Sequence, residues 1–583
     1  MTDDKASRRI ALWLVLLACV TYANALRNGF AFDDIPDLRE NAAVTGGVDV
    51  IRILATPLPP GDLYRPLTVL TFALNEAVAP GNPWPFHAVN VLLHAAVTVL
   101  VFRLAMRLFA SVRLATIAGV LFAVHPIHTE AVTNVVGRAE LLAAFFGLLA
   151  LLTAARADAT PSRGARRVLQ SVSIASFLLA LLSKESALTV LPLIALYRVT
   201  LRREPVLDGA RRELRSLDWV PYALCAILVL LLRVWVVGGL TASTVTPLDN
   251  VLAFVPWTVR VRSAVAVLWD YFGLLLVPLV LAADYSYAQV PLVTAWLTPR
   301  FLGGLLVCAG VGVVAIRNRR PAVTFAAVFP LLALSLTANV LFPIGTVMGE
   351  RLLYLPSVGW VLLVAYGCDH LLRTERYRRA VGASLLVVVV FFAARTWIRN
   401  GDWQDNPTLY RSMARSAPNS AKSRYNFAVA LQEENADEAA AAQFTRALAI
   451  YPWGGGAGSA LGMGILYEKR GITDKAAEWY GKALEIEPGF DKAHTNLCRL
   501  MLVTGQFKRA IGICRNGLRY APADANMLKG LGEALVGADD VDKGIAVLRR
   551  ALALEQDDRD LRTRLGQLEM AAADDASART AVQ

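Results

Sequence analysis

The chain has 583 residues, 56% of them hydrophobic and 18% charged, with a formal net charge of +12 and a mean hydropathy of +0.46. Soluble domains carry about 25% charged residues, so an apolar excess confined to residues 10–397 excludes a wholly soluble protein and implies two parts in different solvents. Most Lys and Arg fall in short loops between apolar runs, where they set membrane orientation, and this distribution sets nucleic-acid binding aside.

The N-terminal run MTDDKASRRIALWLVLLACVTYANAL has the charged start, apolar stretch and small-residue end of a signal peptide. With many spans following it, an uncleaved anchor is expected. A spanning helix needs about 20 largely apolar residues. Candidate spans centre on 11–26, 86–108, 113–126, 138–154, 169–183, 186–200, 219–237, 301–316, 321–341, 356–373 and 379–397. Basic loops at 103–113, 162–167, 198–215, 317–320 and 373–379 all fall on one side if these eleven spans alternate. By the positive-inside rule that side is cytoplasmic, which places the N-terminus inside and the C-terminal part outside. Residues 250–283 are apolar but carry Arg260 and Arg262, and are too long for one span and short for two. Alternation demands zero or two crossings, so a broken or re-entrant pair lining a cavity is expected there.

The tail after residue 397 reads as soluble and repeats. Prolines recur at 418, 452, 488 and 522, spaced 34, 36 and 34. A period near 34 is the tetratricopeptide signature of paired helices. With units starting at 421, 457, 491 and 525, small residues align at the eighth position (Ala428, Gly464, Cys498, Gly532), the twentieth (Ala440, Ala476, Ala510, Gly544) and the twenty-seventh (Ala447, Ala483, Gly517, Ala551). The expected organisation is a membrane domain over 1–397, a linker over 398–420, four repeats over 421–556, and a capping helix with a tail over 557–583. The fold class is all-α: a polytopic helical bundle of about eleven spans and a possible re-entrant pair, followed by an α-solenoid. None of the six cysteines shows CxxC or metal spacing; Cys498 and Cys514 are expected as small core residues, with no disulfide framework.

Charged side chains at membrane depth cost of order 3 kcal/mol, so they default to functional hypotheses. The alternation places Asp33, Asp34, Arg65, His87, His125, His128, Glu130, Arg138, Lys184, Glu185, Glu350, Arg351 and Tyr354 on the outer segments. A ring of such groups around one cavity suits a phosphorylated lipid and an incoming acceptor. Each has a plainer reading. His125, His128 and Glu130 have ligand types that hold zinc, but Pro126 breaks the local geometry, and capping or bundle hydrogen bonds compete. His87, Asn90 and His94 share one helix face by their spacing, which points into the bundle. Lys184 and Glu185 either end a span or serve a site. Arg351 either snorkels or clamps a phosphate.

Taken in order, NGFAFDD, YRPLTVLTFALN, FHAVNVLLHAAVTVLV, HPIHTEAVTNVVGRAELLA, SKES, the DYS at 284–286, GERLLYLPSVG and the trailing repeats resemble the transmembrane and tetratricopeptide-repeat O-mannosyltransferases, type-C glycosyltransferases. The resemblance covers residues 10 to about 560 and implies transfer of a sugar, typically mannose, from a polyprenyl-phosphate donor to a Ser or Thr hydroxyl. It implies that Asp33 and Asp34 are the catalytic pair, and that Arg138, Glu350, Arg351 and Tyr354 lie where the lipid phosphate is contacted. One aspartate is expected as general base, with the other orienting it or holding Arg65 or a metal. Two close carboxylates also raise one another's pKa. Arg351, with Arg138 or Lys184, is expected to stabilise the departing phosphate. No cofactor is fixed by the sequence, and a divalent metal is possible. The repeats are expected to bring the acceptor protein to the membrane site. Three alternatives stand beside this reading: a non-catalytic scaffold using its repeats, a transporter of a polyprenyl-linked glycan, and a type-C enzyme acting on a lipid-linked glycan. The Ala- and Arg-rich composition is bacterial in character, which makes the outer side periplasm; in a eukaryote it is the endoplasmic reticulum lumen.

Overall fold

The computed structural model describes residues 2–58, 63–201, 206–239, 245–317 and 320–582. Parts of the segments 27–85 and 238–262, both expected on the outer side, and of the 198–215 and 317–320 basic loops lie outside these residues. Among the described residues regular structure is helical, apart from an isolated bridge between Leu58 and Leu63. The chain falls into two compact units, 1–418 and 419–583.

In the first unit the main helices are α1 (Thr2–Thr21), α2 (Pro66–Val78), α3 (Trp84–Phe109), α4 (Val112–Val124), α5 (Arg138–Asp158), α6 (Arg163–Ser183), α7 (Val190–Leu201), α8 (Val220–Val237), α9 (Trp257–Leu276), α10 (Pro299–Arg317), α11 (Pro321–Leu334), α12 (Ser357–Leu372), α13 (Glu375–Asp402) and α14 (Asn406–Ser416). Their core gathers Leu14, Phe102, Phe122, Phe177, Phe325 and Val358. Six described helices are long and apolar enough to cross a membrane, or seven if α4 and Pro126–Thr133, bent by 50°, form one span. Pro126 causes that bend, since the residue before a proline is driven out of helical geometry. Several of the eleven expected spans are thus shorter apolar helices, such as α11 and α12.

The region 250–283 also differs from expectation. It forms a single helix, α9, after a short turn at Val251–Phe254, and continues into non-helical chain rather than a second helix. The following segment answers the charges on α9: Arg262 stacks on Trp296 at 4.8 Å, and Asp270 pairs with Arg300. The stretch 398–420 holds the end of α13 and all of α14, which belong to the first compact unit.

Buried charges collect at opposite ends of the bundle. At one end Arg198 meets Asp158 at 2.9 Å and Glu213 at 2.6 Å, and Arg113 meets Asp369 at 2.7 Å. Arg138, Lys184, Arg351 and Arg399 lie at the other ends of the same set of helices. A 21-residue helix such as α5 separates the two by about 30 Å, at 1.5 Å per residue.

The second unit consists of four helix pairs: Ala421–Glu433 with Asp437–Ile450, Gly456–Lys469 with Thr473–Ile486, Asp491–Val503 with Phe507–Tyr520, and Ala525–Gly537 with Val541–Leu554. Arg559–Val582 follows and seals the last pair with Leu561, Leu565 and Leu568. The small residues at matching positions have a steric reason: a Cβ on Gly464 would run into the Tyr480 ring, and one on Gly532 into Leu548. The third helix pair corrects one expectation. Cys498 and Cys514 form a disulfide, with Cα atoms 5.8 Å apart. Position eight faces the partner helix of its own pair, which brings the two sulfurs together.

Candidate active site

The site starts from the loop after α1. Asp34 is 1% exposed. Its Oδ2 accepts the Ala31 N–H at 3.1 Å and its Oδ1 the Val136 N–H at 3.0 Å. It therefore staples the loop to the start of α5. Burial pushes its carboxyl up to about 7; the backbone donors oppose this, and the Asp33 charge adds to it. The neighbouring carboxylate thus contributes to the shift, but burial is the larger cause. With Asp34 turned inward, Asp33 keeps a side chain 37% exposed. Arg351 Nη1 donates to Asp33 Oδ2 at 3.3 Å.

Arg351 lies in a single turn of 3-10 helix, Glu350–Leu353. Glu130 fixes it: Oε2 accepts the Arg351 N–H at 2.8 Å, and Oε1 is 3.6 Å from Nε. Burial lowers the Arg351 pKa, but the charges of Glu130 and Asp33 overcome it and hold it above the usual arginine value. Glu350 points elsewhere. Its Oε1 accepts the Tyr285 hydroxyl at 2.8 Å, and its Oε2 lies 4.0 Å from Arg399 Nη2. Burial pushes the Glu350 carboxyl up to about 8, against the charge of Arg399.

A second set of charges adjoins this one. Lys184 pairs with Glu140, and both are buried. Burial lowers the lysine's pKa against the pull of Glu140, and the charges of Arg65 and Arg351 add to the lowering. Glu185 receives Arg65 Nε at 3.1 Å and Arg233 Nη1 at 2.9 Å. Burial raises its pKa, but the Arg65 and Arg233 charges win and hold it below the usual value. The structure therefore gathers Asp33, Glu130, Lys184, Arg351, Arg65 and Glu185 around linked ion pairs.

It does not bring the rest to that surface. Arg138, expected at the donor phosphate, is 0% exposed. It bonds Asn90 at 2.8 Å, Asn75 at 2.6 Å, the Thr71 carbonyl at 3.1 Å and the Phe86 carbonyl at 2.9 Å, and it lies over Phe72 at 4.7 Å. Those bonds replace the water its charge would otherwise need. Tyr354, expected near the lipid, is buried with its hydroxyl 2.8 Å from His94 Nδ1. His128 contacts the Phe122 carbonyl and the Ser357 hydroxyl. His125 accepts the Ile127 N–H and meets the Leu275 carbonyl. His87 meets the Gly29 carbonyl at 3.2 Å. These histidines tie the bundle together, and Glu130 is engaged by Arg351. Among the described residues no three His, Cys, Asp or Glu side chains gather as a metal-binding group. Beside Tyr285 lies a cavity of about 520 Å³, lined by Leu274, Val277, Leu279, Val280 and Met348, with Arg300 on its wall.

The chain matches the tetratricopeptide-repeat family over residues 469–534. It is 29% identical over 594 residues to Protein O-mannosyl-transferase TMTC3 of Homo sapiens, covering 94% of this chain and 64% of that protein. Protein O-mannosyl-transferase Tmtc3 of Drosophila melanogaster is 30% identical, with 77% and 56% covered. Over most of its length the chain is therefore similar to proteins named as O-mannosyl-transferases, and within its C-terminal part to the tetratricopeptide repeat. It spans less than two thirds of the length of these relatives. Among solved structures it is similar to "MamA 41-end from Desulfovibrio magneticus RS-1", 22% identical with a TM-score of 0.25, covering 27% of this chain and 89% of that one.

Sequence reasoning missed Glu140, Arg233, Tyr285 and Arg399. Arg233 carried a usable signal, since it is a charge inside an otherwise apolar helix; Arg399 lies in the polar last turns of α13, between Arg395 and Asp402, and does not stand out there. Tyr285 stands in the DYS stretch but was not singled out. Glu140 sits one turn into α5 and reads locally as a favourable charge near a helix start.

Proposed function

We propose that the chain transfers mannose, with inversion, from a polyprenyl-phosphate donor to a Ser or Thr hydroxyl of a protein acceptor, with Asp33 as the general base. The observation that carries this reading is the half-exposed Asp33 carboxylate at Arg351, beside an Asp34 spent on backbone bonds. The acceptor hydroxyl attacks the anomeric carbon, its proton passes to Asp33, and the bond from that carbon to the phosphate oxygen breaks. Polyprenyl phosphate leaves already charged, so it needs cations rather than an acid. Arg351, held by Glu130, meets that charge, with Lys184 and Arg65 nearby in the same electrostatic cluster. Phosphate arriving at Arg351 competes with Asp33 for the guanidinium and leaves the carboxylate available to take a proton. The apolar wall of the cavity beside Tyr285 suits the first isoprene units.

The repeats recruit the acceptor. The Cys498–Cys514 disulfide supports an oxidising compartment for them, which agrees with the outer side assigned by the basic loops: periplasm in a bacterium, lumen in a eukaryote. The names of the relatives support mannose and a protein acceptor.

The test is transfer from radiolabelled polyprenyl-phosphate mannose to a mixture of periplasmic proteins by the purified chain. Loss of a general base costs roughly 10²- to 10⁴-fold, so Asp33→Asn is expected to lose at least about a hundredfold. Asp34→Asn keeps one acceptor oxygen and is expected to retain more activity. Equal transfer by both variants and the unsubstituted chain would remove Asp33 as the base.

A further inference from the structure

Phe32, immediately before Asp33, has φ of +57°. That is the left-handed region, which a bulky side chain enters at a cost and keeps only where its surroundings hold it. What holds it comes from beyond the last membrane helix. The Phe32 N–H donates to Asn406 Oδ1 at 2.7 Å. The Phe32 ring meets Tyr410 edge-on, centroids 6.4 Å apart. Gly29 N–H donates to the Gln404 carbonyl at 2.8 Å, and the buried Trp403 packs with Ala31, Leu409 and Met413. Asn406 is the first residue of α14, yet it does not cap that helix. Asp405 does, its Oδ1 accepting the Thr408 N–H at 2.9 Å. The Asn406 carboxamide oxygen serves the loop instead.

We infer that Asn406 is a positioning residue for Asp33: by accepting the Phe32 N–H it holds the left-handed turn that aims the Asp33 carboxylate at Arg351. The inference rests on Asp33 being the base of the proposed transferase. It assigns a role in the reaction to the segment that leads into the repeats.

The test compares the full chain with Asn406→Ala and Asn406→Asp in two measurements: amide hydrogen exchange across residues 28–37, and mannose transfer from polyprenyl-phosphate mannose. Asp keeps an acceptor oxygen where Asn has one. Misplacing a reacting group by about 1 Å costs up to about a hundredfold. Asn406→Ala is therefore expected to speed exchange at Phe32 and to lower kcat about 10- to 100-fold, with KM for the donor unchanged; Asn406→Asp restores both. In a Phe32→Gly background, where the left-handed turn carries no Cβ penalty, the Asn406→Ala loss shrinks. Wild-type exchange in Asn406→Ala overturns the inference. So does a kcat unchanged by that substitution, or a loss in both variants that tracks a lower melting temperature. An unsubstituted chain that transfers nothing overturns the transferase reading instead, and the exchange measurement, which needs no substrate, still decides the anchor.

Discussion

Asp33 and Asp34 are covalent neighbours in opposite environments, one half-exposed at Arg351 and the other buried under two backbone N–H groups. Burial dominates at Asp34, raising its carboxyl from 3.8 to about 7. The sign of the stability effect follows. Below the unfolded value both states hold the proton, and the group's contribution is fully present. As pH rises through the folded value the contribution is lost, by about 4 kcal/mol from a shift of this size. Relative to Asp34→Asn, which cannot titrate, the wild-type melting temperature is expected to fall between about pH 5 and 7 and to level off above that. Thermal unfolding of both chains across that range checks it; a gap moving the other way would mean the backbone donors outweigh burial. The sequence made this pair visible as two charges beside an apolar helix. It held no signal for their division of labour, because the burial of Asp34 depends on Val136, about a hundred residues away.

Periodicity made some helices legible and left others ambiguous. The four repeats followed from small residues in register, because close packing within each pair punishes any larger side chain at those positions. The single helix α9 was not legible. Its length together with Arg260 and Arg262 made the run look broken, whereas Trp296 answers Arg262 from a later segment, as Arg300 answers Asp270. The disulfide was also hidden, since two cysteines separated by 16 positions carry no redox motif until paired helices bring them together. In denaturant, where burial no longer shields them, Cys498 and Cys514 are expected to resist maleimide until reduced, a difference that mass spectrometry reads directly. Closing a loop of this length contributes about 3 kcal/mol in the chain-entropy account, so the Cys498→Ala, Cys514→Ala double variant is expected to unfold earlier. Full labelling without reductant would refute the bridge.

At the scale of the whole molecule, charge distribution carried most of the information. Basic loops assign one side of the membrane and polar outer segments the other; the structure has ion pairs at two ends of the bundle, and which end faces which side is a prediction. A membrane-impermeant thiol reagent on intact cells is expected to label Thr294→Cys, an exposed position in the segment after α9. Ala165→Cys, exposed in the basic segment at the start of α6, is expected to react only after permeabilisation. Reversed labelling would invert the orientation and move Asp33 to the cytoplasmic side.

Hydropathy, charge placement and repeat register are local in the chain, so the sequence by itself determined two parts in two solvents, the repeat architecture and the stretch of polar residues in which a site belongs. Which of those residues lie together at the candidate site was decided by tertiary structure. Arg351 reaches Asp33 across 318 positions, while Arg138 and Tyr354, equally polar in sequence, are enclosed by Asn90, Asn75 and His94. Whether a charge serves chemistry or packing depends on its partners and on its distance from water, and in a folded bundle those come from parts of the chain far away in sequence.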